Sequence, residues 1–373
     1  MKYRLICVAL GALVVASCSD TEEVTRPTPA LLENGLSASM GHVYAMTNAA
    51  AGNAVLVYSR ASNGMLTFVS ALPTGGLGSG QFEDSSNGLL LASRQKDSSP
   101  TNFTGADQFL IATNAASNSI SVFRLRDNDG PLLVDVVASN GEHPVSVTVS
   151  GGILYVLNNG DAAFAPPPNC AAGPGVPNIT GFKLSRRGEL TPIPNSTRAL
   201  SGDRNSGCAQ VSFTPRGDQL VVTERTASGP GRIDTYRLLR DGTLSAPVVN
   251  TPTGIGPFGF NFTMRGELLT TENFGGLTAP GQGHAAPYFI RRNGTLEAAG
   301  PTVGNGGTDT CWLVLSSGDK YAYVTNFFSS SISSYIVESD GSFTLLEALA
   351  DETIGVGAAD EATSQNGQYL YAR

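Results

Sequence analysis

The chain has 373 residues, a formal net charge of -8 and only 14% charged side chains, against roughly a quarter in ordinary soluble domains. That balance excludes a nucleic-acid binder, which needs clustered Lys and Arg to displace counterions. Glycine is abundant at 44 residues, and Gly, Asn, Ser and Thr fill the gaps between short apolar runs, so the composition predicts an all-β protein.

Residues 1–18 predict an export signal. Lys2 and Arg4 supply a positive start, and Leu5 to Val15 an apolar run too short to cross a membrane as a helix. Val15-Ala16-Ser17-Cys18 resembles a bacterial lipobox, which implies lipidation of Cys18; the alternative is ordinary cleavage nearby. The expected product is exported and lipid-anchored in the bacterial cell envelope, at the periplasmic or outer-membrane face. Residues 19–39 read as a flexible tether and 40–373 as one β domain. With Cys7 and Cys18 in the signal, Cys170, Cys208 and Cys311 remain in an oxidising space, where three thiols allow at most one bridge.

From residue 42 the chain repeats one pattern. A first run ends in Asn or Glu: HVYAMTN (42–48), QFLIATN (108–114), GILYVLN (152–158), DQLVVTE (218–224), GELLTTE (266–272) and KYAYVTN (320–326). Call it strand b. Strand c follows across a loop, as in SISVFRL (119–125) and RIDTYRL (232–238). Turns such as Arg240-Asp241-Gly242 and Arg292-Asn293-Gly294 lead to strand d, because glycine tolerates the positive φ of a tight hairpin. A Gly/Pro-rich return then brings in strand a, as in VSVTVS (145–150). Four strands per unit in tandem predict a β-propeller, since a lone four-stranded sheet cannot bury both faces and stacked sheets can. Residues 94–107, 160–178 and 274–286 read as loop insertions, which cost little.

The repeat, an LYVTN-like strand b, an SISVYRL-like strand c and a DGxL hairpin in every unit, resembles the lactonase-type seven-bladed propellers. That family includes bacterial 6-phosphogluconolactonases and fungal carboxymuconate cyclases. The resemblance spans residues 40–373. A complete relative would run on past the seventh strand b, which here is QYLYAR at 368–373. The expectation is therefore a seven-bladed arc with an incomplete last blade; the alternative closes residues 360–365 onto the first blade and makes six.

The b→c loops and d→a returns should share the face around the channel mouth. The residues ending strand b there are Asn48, Asn114, Asn158, Glu224, Glu272 and Asn326, with Arg225 directly after Glu224. One reading makes Glu224 or Glu272 a general base on water and Arg225 the partner of an anionic substrate or an oxyanion, with Asn114, Asn158 and Asn326 binding ligand. The other makes all of these side chains caps on nearby backbone. The resemblance implies His, Arg and Glu near the mouth and a Pro-His start to strand a. No His holds that place here: His143 comes one position early, before Pro144, and reads either as a channel group or as a solvated loop residue. Trp312, the only Trp, is a stacking platform or inter-blade packing. Cys170 and Cys208 fall on the same face and are expected to form the bridge. Gly254-Ile-Gly-Pro-Phe-Gly259 matches a nucleotide fingerprint but opens no helix. Three scattered His make no metal site. Neither cofactor nor metal is expected.

Two functions follow. The resemblance implies an enzyme, a lactonase or a muconate-type cyclase acting on a sugar- or muconate-derived lactone. Export argues against phosphogluconate, a cytoplasmic substrate. The alternative is a membrane-anchored propeller that binds a ligand or an envelope protein without catalysis. A monomer is expected in either case.

Overall fold

The computed structural model describes residues 41–94, 108–126, 130–160, 176–201, 209–225, 229–352 and 357–373. The export signal, the tether, Cys18 and the expected Cys170–Cys208 bridge lie outside the described residues.

The fold is an all-β propeller of four-stranded blades. Among the described residues, sheet one spans 42–73, sheet two 89–138, sheet three 144–199, sheet four 210–250, sheet five 257–304 and sheet six 310–352, and a two-stranded ladder follows at 361–372. Every pairing is antiparallel between strands consecutive in the chain, save two short extra strands that pair back in sheets three and five. The c→d turn glycines Gly188, Gly242, Gly294 and Gly341 all take positive φ, as the hairpin reading requires.

Burial follows from the stacking. The second strands of sheets two and four, Gln108–Asn114 and Gln219–Glu224, are buried along almost their whole length. Outer strands such as Leu132–Ala138 are half exposed. There is no single core. One apolar cluster joins Phe109 and Val122 of sheet two to Val147 and Leu154 of sheet three. Others join sheets three and four, four and five, and five and six. Each buried Phe or Leu in these clusters contributes about 1.5–3 kcal/mol between neighbouring blades.

The first strands of successive sheets pack on one another around the central channel. The ring then meets sheet one through the ladder. Tyr369 Oη donates to the Ser62 carbonyl at 2.7 Å, Tyr371 Oη to Gly64 at 2.9 Å and Arg373 Nη1 to Met46 at 3.2 Å. Residues 361–363 pair with 370–372 and add no strand to sheet one, so among the described residues six sheets of three or more strands form and the expected seventh blade is present only as this two-stranded ladder. The insertion read at 274–286 is shorter as a loop than expected. Its last residues extend strand c, which starts at His284 because His284 and Ala285 pair with Gly304 and Val303.

Candidate functional site

The residues ending strand b are the joints of the propeller. Asn114 Oδ1 accepts from Thr74 Oγ1 at 2.7 Å, in the connection from the preceding sheet, while its Nδ2 donates to Ser119 and Ser121 on its own strand c. Asn326 does the same with Asn305 and Thr310 on one side and Ser331 and Ser333 on the other. Asn158 donates to Asn178. In sheet four Glu224 takes the Ser201 amide at 2.8 Å and its hydroxyl at 2.9 Å. In sheet five Glu272 takes the Gly254 amide at 3.0 Å and Tyr288 Oη at 3.1 Å. All five side chains are buried. Glycine is required opposite four of them. A Cβ on Gly76, Gly141 or Gly307 would lie within 2.4 Å of the clamping Asn, and one on Gly254 would lie 2.0 Å from Glu272 Oε2. The first glycine of the apparent nucleotide motif is therefore a packing glycine.

One clamping carboxyl, Glu272, and one neighbour of the other, Asp234, have unusual acidities. Burial pushes Glu272 up to about 7 against the bonds from Gly254 and Tyr288, and its Oε2 is buried with no partner. Beside Glu224, burial and the neighbouring carboxylate push Asp234 up to about 9. At neutral pH this pair carries a proton.

His143 and Asp309 stand immediately before the first strands of sheets three and six, in left-handed conformations with φ 54 and φ 62. Gly256 holds the corresponding place in sheet five, with φ 70. A non-glycine residue held there is strained, and such strain collects at sites with a role. His143 is only 2% exposed, which corrects its reading as a solvated loop residue. Its Nε2 lies 2.9 Å from Glu83 Oε2; its Nδ1 is buried without a hydrogen-bond partner. Arg225 is buried, forms an ion pair with Asp84, reaches toward Asp309 at 3.9 Å and lies over the Phe258 ring at 5.3 Å.

Glu83 and Asp84, consecutive residues, thus bond His143 and Arg225 in turn. They belong to a segment whose Gly- and Ser-rich composition reads as an ordinary return. In three connections the packing glycine precedes strand a by three residues (Gly141 and Pro144, Gly254 and Pro257, Gly307 and Thr310), whereas Gly76 precedes Leu89 by thirteen. The added residues fold into the channel mouth. Phe82 packs 4.7 Å from Phe327 and 6.1 Å from Trp312, centroid to centroid. The Ser85 carbonyl accepts from Trp312 Nε1 at 3.0 Å, Ser85 Oγ donates to Val145, and the Ser86 amide donates to Ala209. Trp312 is consequently enclosed by Phe82, Phe258 and Phe327. Burial would raise the Glu83 pKa, but the bond and charge of His143 and the bonds from Ser79 and Asn48 outweigh it and hold the carboxyl below its ordinary range. Below the mouth a cavity of about 150 Å³ runs between the first strands, its wall including Ser86, Asn87, Asp360 and Glu361. Among the described residues no three His, Cys, Asp or Glu side chains are grouped to hold a metal, and Cys311 is a buried free thiol.

No family model matches the chain, and no curated protein matches it by sequence. Its likeness is to solved structures. A candidate 6-phosphogluconolactonase from Bacteroides fragilis superposes with a TM-score of 0.59 at 16% identity, over 91% of this chain and 88% of that one. A periplasmic gluconolactonase from Pseudomonas aeruginosa gives 0.52 at 19%, over 68% and 71%. A hypothetical selenium-binding protein from Sulfolobus tokodaii gives 0.59 at 13%, over 89% and 81%. The neighbours thus include β-propellers of the gluconolactonase and 6-phosphogluconolactonase kind, and what this chain shares with them at such identities is the fold.

Proposed function

We propose that this protein is a lactonase-type propeller enzyme that opens a sugar- or muconate-derived lactone at the channel mouth, with the ladder at 361–372 standing in for a seventh blade. The observation that carries this reading is the convergence of His143 and Arg225 on two successive residues of one loop. In the proposed reaction His143 takes a proton from water through Nδ1 as oxygen adds to the lactone carbonyl carbon. Arg225 faces the oxygen that becomes negative. Collapse breaks the ring C–O bond, and the departing alkoxide takes the proton back from His143. The base is assigned to His143 because Glu224 spends both oxygens on Ser201, and Glu272 has Oε1 tied to Gly254 and Tyr288 and Oε2 packed against Gly254. A panel of aldono- and muconolactones followed by release of acid tests it. His143→Ala should lose about 10²–10⁴-fold in turnover, the usual contribution of a general base. No turnover of any lactone by the folded protein would sink the reading.

The filled mouth favours one other function, a propeller that binds a ligand or an envelope protein without chemistry. In either case the lipobox-like Val15–Cys18 supports export and anchoring in the cell envelope. Incorporation of labelled fatty acid that disappears in Cys18→Ala checks this; labelling that persists in the variant refutes it.

A further inference from the structure

The first connection of the ring carries ten residues more than the glycine-to-strand spacing of three other connections requires, and they occupy the opening that the other connections surround. The segment is poor in apolar anchorage. Leu77 is exposed, Gly78, Ser79, Gly80 and Gln81 follow, and Phe82 is only half-buried. What holds it is polar: the buried Asn48, which bonds Ser79, the Gln81 carbonyl and Glu83, Ser117 on the Leu77 amide, backbone bonds of Gly78, Gly80 and Ser86, and the two carboxylates on His143 and Arg225, with Phe82 as its one aromatic contact to the ring. Glu83 holds the Nε2 side of the ring whose Nδ1 the reading above gives to water, and Asp84 holds the guanidinium given to the developing oxyanion.

We propose that segment 77–88 is an internal competitor: it closes the mouth by presenting Glu83 and Asp84 to His143 and Arg225, and a small anionic ligand acts by displacing it. The inference rests on the assignment of His143 and Arg225 as ligand-facing groups. Because the carboxylates are tethered to the ring through a short loop, their effective concentration is about millimolar. A free anion must reach that range, or bear two carboxylates, to compete.

Trp312 is a built-in reporter, being the only Trp in the chain and bonded to the segment through Ser85. The experiment follows its emission and its quenching by acrylamide while succinate is added at constant ionic strength. In the unaltered protein Trp312 should begin shielded and become quenchable as succinate enters the millimolar range. The double variant Glu83→Gln, Asp84→Asn should start open and bind succinate at least about tenfold more tightly, since the tethered competitor has lost both charges. Should that variant lose its β circular dichroism, Phe82→Ala decides, because it removes the aromatic anchor and leaves the charges alone. It too should open the mouth and tighten succinate binding. Trp312 staying as shielded as in the unaltered protein in the folded variants, with succinate affinity unchanged, overturns the proposal. The result separates from the enzymatic reading: displacement by succinate without lactone turnover sinks catalysis and keeps the competitor, whereas turnover with no change in these variants does the reverse.

Discussion

Arg225 and Glu272 are both buried ionisable groups, and the molecule treats them differently. Arg225 is met by Asp84, the nearby Asp309 and the Phe258 face, the combination that makes a desolvated guanidinium tolerable. Glu272 is offered only dipoles, the Gly254 amide and the Tyr288 hydroxyl, and burial pushes it from an ordinary 4.5 up to about 7. Between those two values the folded protein holds a proton that the unfolded chain has released. Stability is therefore full below about pH 4.5 and is lost as the pH rises through about 7. At about 1.4 kcal/mol for each unit the loss is about 3 kcal/mol. Glu272→Gln keeps an acceptor for Gly254 and Tyr288 and cannot ionise. It should match the parent at acidic pH and exceed it by about 3 kcal/mol above neutrality, an order of magnitude set by the same linkage. Urea unfolding at two pH values measures the difference, and parallel curves at both would refute the assignment.

At the scale of the element, strands were legible and connections were not. The period-2 runs ending in Asn or Glu fixed the second strand of each full sheet, because a strand buried on both faces must be apolar along most of its length. Glu224-Arg225 was visible as the departure from Asn. Its partner Asp84 was not, since the two meet only when the ring closes on the mouth. Segment 77–88 was hidden by its own composition: Gly, Ser and Asn make an inserted segment read like any other return. The spacing between the packing glycine and strand a is the signal that could have exposed it, and that spacing acquires meaning only once the glycine is seen against the clamping side chain. His143 is ambiguous in the sequence for a related reason. A histidine beside Glu142 and Pro144 looks solvated until the left-handed turn points it at Glu83.

The whole molecule is a chain of nearest-neighbour contacts bent into a ring, so the closure between the ladder and sheet one has consequences out of proportion to its size. A linear stack would leave the two end units stabilised from one side only. Here Tyr369 spans the junction. Its hydroxyl bonds Ser62 at 2.7 Å, its ring lies under Arg60 at 5.8 Å, and Gly64 abuts the ring so closely that a Cβ there would come within 2.5 Å of it. The hydrogen bond contributes about 1 kcal/mol and the cation–π contact about 0.5–1 kcal/mol. Tyr369→Phe should lose the first and keep the second, and Tyr369→Ala should lose both, about 2 kcal/mol in all. The distribution of the effect is more telling than its size. Because the apolar clusters between blades join neighbours and, among the described residues, only segment 77–88 crosses the mouth, amide exchange in Tyr369→Ala should quicken most in residues 361–372 and in sheet one, and least in the outer strands of sheets three and four on the far side of the ring. Uniform quickening through every sheet would mean that the propeller unfolds as one unit and that the junction is not its local seam.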